Sequence, residues 1–153
     1  MITGHDHPAN DAWEALLSAH AVLIKQFAAR DSWAELSMRE YDVLYTLSKC
    51  AGPVRLGELN RHVLLSQPAL SRLADRLVAR GLVERQSDHA DGRSVRLSLT
   101  QAGRALQREI GQLHARDVAS AMTAELSPGE LRQLTQLCRK LITSDKEKVR
   151  DRL

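Results

Sequence analysis

A mainly α-helical fold carrying one small β-hairpin is the class this sequence predicts, and three observations predict it. Two short amphipathic segments, residues 55–64 and 67–80, are joined by the tight connection "LLS". Two strand-like runs follow at once, "LVER" and "VRLSL", with the stretch "SDHADGRSV" between them. Longer amphipathic helices flank this unit on both sides. A helix-turn-helix followed by a β-hairpin is a winged helix, here an α+β unit framed by terminal helices.

Taken in order, residues 11 to about 30 read as a helix, because Trp13, Leu16, Leu17, His20, Leu23, Ile24 and Phe27 form a continuous apolar stripe. "SMRE" is a capping box in which Ser37 caps and Glu40 reaches back. It opens a second helix through Tyr41, Leu44, Tyr45 and Leu47, stopped by Gly52-Pro53. Residues 55–64 predict a short helix with Leu56, Leu59 and Val63 on one face. Ser66 then caps a helix that runs to Gly81, a glycine suited to the left-handed position past a helix end. In the second strand Val95, Leu97 and Leu99 are expected inward, and Arg96 and Ser98 outward. Thr100 caps a long helix, and "SPGE" starts a last one with the stripe Leu131, Leu134, Leu137, Cys138 and Leu141.

The chain has 153 residues, 43% hydrophobic and 27% charged, enough for a sizeable core and too apolar for a disordered polymer. No apolar run reaches the roughly 18 residues of a membrane span. No secretory leader is visible, and two distant cysteines, Cys50 and Cys138, make no disulfide framework, so a cytoplasmic protein is expected. Residues 55–99 hold eight Arg against five acids and carry the whole net charge of +3. Arginine suits bidentate contacts with phosphates and guanine edges. No phosphate-binding glycine loop, metal-ligand cluster or catalytic triad stands out, so neither an enzyme nor a metal or cofactor site is expected.

The stretch from Leu64 to Leu106 resembles the multiple-antibiotic-resistance regulator (MarR) family. Arg76-Leu77, Gly81-Leu82-Val83, Arg85, Asp91-Gly92-Arg93, Leu99-Thr100 and Gly103 carry the match. The resemblance implies one domain over residues 1–153, with dimerisation helices in 11–36 and 100–146 and a DNA-binding lobe in 37–99. It implies a homodimer on double-stranded DNA with a pseudo-palindromic operator, acting as a repressor that a small molecule releases. The alternative is a winged-helix module for protein–protein assembly with no operator, which a neutral or acidic recognition face would favour; this face is basic.

On the helix after Ser66, positions 67, 68, 71, 72, 75 and 76 share one face, opposite Leu70, Leu73, Ala74 and Leu77. Gln67 suits adenine and Arg72 suits guanine in a major groove. Ser66, Ser71 and Arg76 suit phosphates, with Pro68 and Ala69 in the same first turns. Asp75 is an acid on that face and is expected to pair with Arg72, Arg76 or Arg93. Asp91-Gly92 is enough to reverse the hairpin, so Arg93 has another task. At the wing tip it reaches a flanking minor groove, with Asp91 holding it when DNA is absent. Trp13, His20, Tyr41 and Tyr45 are the candidate effector-binding residues, since the resemblance puts a ligand cleft between the dimerisation helices and the lobe. The first two helices resemble the urate-responsive branch, with Trp13 matching its first-helix Trp, whereas Arg61 stands where that branch carries an acid.

Overall fold

The computed structural model describes residues 7–87 and 94–150, with side chains through residue 142. Helix α1 spans His7–Ala28, α2 Met38–Ser48, α3 Leu56–Asn60, α4 Gln67–Ala79, α5 Gln101–Glu125 and α6 Pro128–Arg150. Strands β1 Val54–Arg55, β2 Val83–Ser87 and β3 Val95–Leu99 form one antiparallel sheet in the order β1-β3-β2. The chain divides into two compact units, Met1–Ala115 and Arg116–Leu153. No helix among the described residues is long and apolar enough to cross a membrane.

Local chemistry sets most boundaries. Ser37 Oγ accepts from the Glu40 amide at 3.2 Å while Glu40 Oε2 accepts from the Ser37 amide at 2.8 Å, the reciprocal cap read from "SMRE". Ser66 Oγ accepts from the Ala69 amide at 3.3 Å and opens α4. Gly81, at φ +70°, ends that helix in a conformation that favours glycine. Helix α1 starts at His7 rather than near residue 11, and His7 Nδ1 lies 2.8 Å from Asp11 Oδ2 one turn on.

Residues 55–64 depart from the single helix expected of them. Val54-Arg55 pairs with Leu97 and Arg96 of β3, and only Leu56–Asn60 is helical. Asn60 Nδ2 donates to the Leu65 carbonyl at 2.7 Å, closing the connection to α4. Val95, expected inward, is exposed at the start of β3.

The core of the winged lobe joins Val43, Leu44, Leu59, Leu70, Leu77 and Val83, all fully buried, with Leu97 and Leu99 from the sheet. A second, aromatic layer gathers around His114 of α5. Its ring lies 4.7 Å from Trp33, 5.3 Å from Phe27 and 5.7 Å from Tyr41, and the Trp33 indole donates to the Phe27 carbonyl at 2.7 Å. Tyr41 is thus a core residue, 4% exposed.

One corner ties the end of α4, the sheet and α5 together. Thr100 Oγ1 donates to the Gly81 carbonyl at 2.6 Å and accepts from the Gly103 amide at 3.0 Å, while the Thr100 amide donates to the Leu82 carbonyl at 3.2 Å. Gly103 is buried against Leu82, and a β-carbon there would overlap the Leu82 carbonyl oxygen. The obstacle is backbone and cannot swing aside. Gly103→Ala is therefore expected to cost at least about 2 kcal/mol, the scale of an overpacked core. Urea denaturation should show it, and a midpoint unchanged from the parent would mean that the corner relaxes freely.

Candidate nucleic-acid interface

Helix α4 is two-faced by sequence, and its packing follows. Leu70, Leu73, Ala74 and Leu77 are buried against the lobe. Opposite them Ser66, Gln67, Pro68, Arg72, Asp75 and Arg76 are exposed, with Ala69 and Ser71 partly so. The residues read from sequence as base- and phosphate-facing thus share one solvent-facing surface at the N-terminal half of α4. There the unpaired backbone N–H groups also favour anions. Asp91 and Arg93 lie outside the described residues.

Ion pairs divide the arginines of the lobe. Asp75 pairs with Arg85 of β2 and with neither Arg72 nor Arg76, two of its three expected partners; the third, Arg93, lies outside the described residues. The correction has a simple cause: Asp75 lies on the side of α4 that turns toward the strand following Gly81. Arg76 Nε lies 3.9 Å from Glu40 Oε1, and Arg80 lies 3.3 Å from Glu35 and 3.9 Å from Glu40. Arg72 makes no ion pair among the described residues. Its guanidinium therefore keeps its full donor set for a ligand.

On the far side of α2 an open cleft of about 570 Å³ lies between α1 and the α3–α4 connection. His20 and Ile24 of α1, Asp42, Tyr45 and Thr46 of α2, Lys49 and Cys50 just past its end, and His62, Val63 and Leu64 line it. Two of the four effector candidates, His20 and Tyr45, are in this lining. Tyr41 is not, being in the aromatic core, and Trp13 is not either, standing on α1 60% exposed. Lys49 Nζ sits 4.0 Å above the Tyr45 ring, whose neighbour Tyr41 stacks on it at 5.9 Å and 19°. Cys50 lines the cleft with its Sγ donating to the Thr46 carbonyl at 3.3 Å. Arg61 belongs to an adjoining hollow of about 270 Å³ with Thr46, Cys50 and His62. Among the described residues no group of His, Cys, Asp and Glu could hold a metal ion.

Asp42, Lys49 and His62 were missed from sequence, because each looks like an ordinary surface charge until α1 and the α3–α4 turn wall in the same space. Burial raises the Asp42 carboxyl above the ordinary carboxylate range, against the lowering pull of His114. Burial likewise raises the Tyr41 phenol, partly opposed by its hydrogen bond to Gln107.

Comparison with known proteins gives one answer throughout. Residues 36–95 match the MarR family. The chain is 31% identical over 108 residues to the multiple antibiotic resistance protein MarR of Escherichia coli strain K12, covering 71% of this chain and 74% of that protein. A solved structure of the multiple antibiotic resistance repressor MarR superposes with TM-score 0.72 at 26% identity, over 84% of this chain and 92% of the other. Bordetella bronchiseptica BpsR, whose DNA binding is regulated by 6-hydroxynicotinic acid, superposes with TM-score 0.68 at 26% identity, over 88% of this chain and 98% of that one.

The raised Asp42 value has a signed consequence for stability. The folded chain disfavours the carboxylate, so Asp42 contributes fully below its unfolded value, about 3.9, and that contribution is lost as pH rises through the raised folded value. Solvent reaches the group through the open cleft, which keeps the effect small. Asp42→Asn should match the parent near pH 4 and gain on it by pH 7, read as urea midpoints across the range. A parent that gains on the variant instead would show that a cation in the cleft dominates.

Proposed function

Because the chain belongs to the MarR family, whose members are DNA-binding transcriptional regulators and not enzymes, we propose that it is a homodimeric repressor whose operator is read by α4 and released by a small planar acid bound beside α2. The observation that carries this reading is the exposed, Arg-bearing face of α4 opposite a fully buried one. Gln67 and Arg72 read base edges in the major groove, and Ser66, Ser71 and Arg76 hold phosphates, with Pro68 and Ala69 lining the approach. Arg93 enters the neighbouring minor groove from the wing, steadied by Asp91 in the absence of DNA.

Dimerisation follows from uncovered apolar surface. On α1, Trp13, Leu16, Leu17 and Ile24 are exposed, and on α6 Leu134, Leu137, Leu141 and Ile142 are exposed. A second copy supplies the missing cover for both stripes, and a two-fold dimer then suits a pseudo-palindromic operator.

The effector reading rests on the cleft. Lys49 and the two histidines suit an acidic group, the Tyr45 ring suits a flat one, and Asp42 accepts from a donor at the far edge. Such a ligand releases DNA by as much as it prefers the non-binding arrangement of the lobes, and no more.

Two experiments test these assignments. The operator is first selected from random duplex DNA. Arg72→Ala is then expected to lose about 1–3 kcal/mol on it and much less on a duplex altered at the contacted base pair. Arg93→Ala should weaken binding to all duplexes with the same flanks and lower the salt slope by about one phosphate's worth. Equal losses for both variants on every duplex would remove the division of labour. For the cleft, 6-hydroxynicotinic acid serves as the first probe of a planar-acid series. The acid that releases the operator from the parent should need at least about tenfold more ligand with Lys49→Ala, the scale of a lost charged contact. Unchanged release in both Lys49→Ala and Tyr45→Ala would put the effector site elsewhere.

A further inference from the structure

Glu40 has two oxygens and two employers. Oε2 accepts from the Ser37 amide at 2.8 Å and closes the cap of α2. Oε1 faces away from the cap, 3.9 Å from Arg76 Nε and 3.9 Å from Arg80 Nη1. A capping glutamate usually spends its second oxygen on water, yet this side chain is only 13% exposed. Arg80 is itself held at 3.3 Å by Glu35, just before the same cap. The two arginines sit one turn apart at the C-terminal end of α4, and Arg80 is its last capping residue before Gly81.

We infer that Glu40 is a positioning residue for DNA reading, fixing the tilt and register of α4 through Arg76 and Arg80. The distances are too long for hydrogen bonds, so the contact is a charge clamp rather than a bonded strut. At 3.9 Å, with the guanidinium groups still reached by solvent, such pairs contribute little to stability, on the order of 0–1 kcal/mol each. Their effect is geometric. A carboxylate anchored at its other oxygen by a helix cap is a fixed point, and two guanidinium groups converge on it from one helix. Without it α4 keeps its apolar packing but can tilt about its buried Leu70, Leu73 and Leu77 contacts, which displaces Gln67, at the far end from Arg80, most and shifts Arg72, one turn from Arg76, with it. The clamp also draws positive charge away from the phosphates, so it trades general affinity for discrimination.

The inference rests on the reading of α4 as the DNA-facing helix, and the test separates the two. Binding to the selected operator and to a scrambled duplex of the same composition is measured by fluorescence anisotropy across a salt series, for the full-length dimer. Glu40→Gln retains an acceptor for the cap and loses the charge. It should lower the operator-to-scrambled ratio by about tenfold while scrambled-duplex affinity holds or rises. Ser37→Ala weakens the cap from the other side and should leave the ratio intact. Arg80→Gln removes one of the two contacts and should lower the ratio in the same direction, and the double variant should go no further than Glu40→Gln alone, the signature of a shared contact. Arg80→Gln carries the test alone should Glu40→Gln fail to fold. A ratio within twofold of the parent in the single variants, or an equal loss in Ser37→Ala, or additive losses in the double variant, overturns the role of Glu40. A parent with no preferred duplex overturns both the role and the reading beneath it.

Discussion

The fold turns on a contact between two stretches of backbone. Helix α5 starts so close to the corner after α4 that the Leu82 carbonyl occupies the place where residue 103 would carry its β-carbon. Only glycine allows that approach, and Thr100 uses it by bonding Gly81 on one side and Gly103 on the other. The recognition helix, the first wing strand and α5 therefore meet at one rigid joint. Every other assignment in the lobe inherits its geometry from this joint: the wing strand leaves in the direction that brings Arg85 to Asp75, and α5 is directed so that His114 enters the aromatic layer.

A second dependence runs through α2. Its first turn carries Glu40, beside Arg76 and Arg80 of α4. Its later turns carry Asp42, Tyr45 and Thr46, and its C-cap is Lys49; all four line the cleft. Between these faces Val43, Leu44 and Leu47 are buried in the lobe. A helix packed this way transmits displacement as a body, since close-packed interiors deform little. The energetic division is unequal. Burying leucines at about 1.5–3 kcal/mol each holds α2 in place, whereas the charges on its two exposed faces decide only which nearby arrangement is preferred. That is a suitable ratio for a regulator, whose states must differ by a few kcal/mol at most.

Particular residues show how much of this was legible in the sequence. The caps at Ser37 and Ser66, the glycine stop at Gly81 and the faces of α4 were readable, because each is decided by neighbours within four residues. The strand Val54-Arg55 was not, since two residues become a strand only when β3 arrives from some 40 positions away to pair with them. The Arg85 partner of Asp75 was missed for a similar reason: Arg72 and Arg76 are nearer in sequence, and the corner at Gly81–Leu82 is what brings the strand alongside. Tyr41 and Tyr45 look alike on paper as aromatics on one helix. Their four-residue spacing puts them on neighbouring turns, and only the position of His114 makes one a core residue and the other a cleft wall.

The count of arginines is itself a poor guide to how DNA is held. Eight lie in residues 55–99, and counterion release would make binding very steep in salt if all eight met phosphates. Yet Arg76, Arg80 and Arg85 are engaged by Glu40, Glu35 and Asp75. An arginine that must leave a carboxylate to reach a phosphate exchanges one anion for another and gains less than a solvated one. Most of these pairs are partly exposed, so the exchange remains possible, but its net gain is small. On the proposed reading of α4, affinity for DNA of any sequence is thereby held down, while Arg72, which has no such partner among the described residues, keeps its full gain for the groove. Discrimination would then come from suppressing the unspecific contacts of Arg72's neighbours as much as from the contacts proposed to read bases.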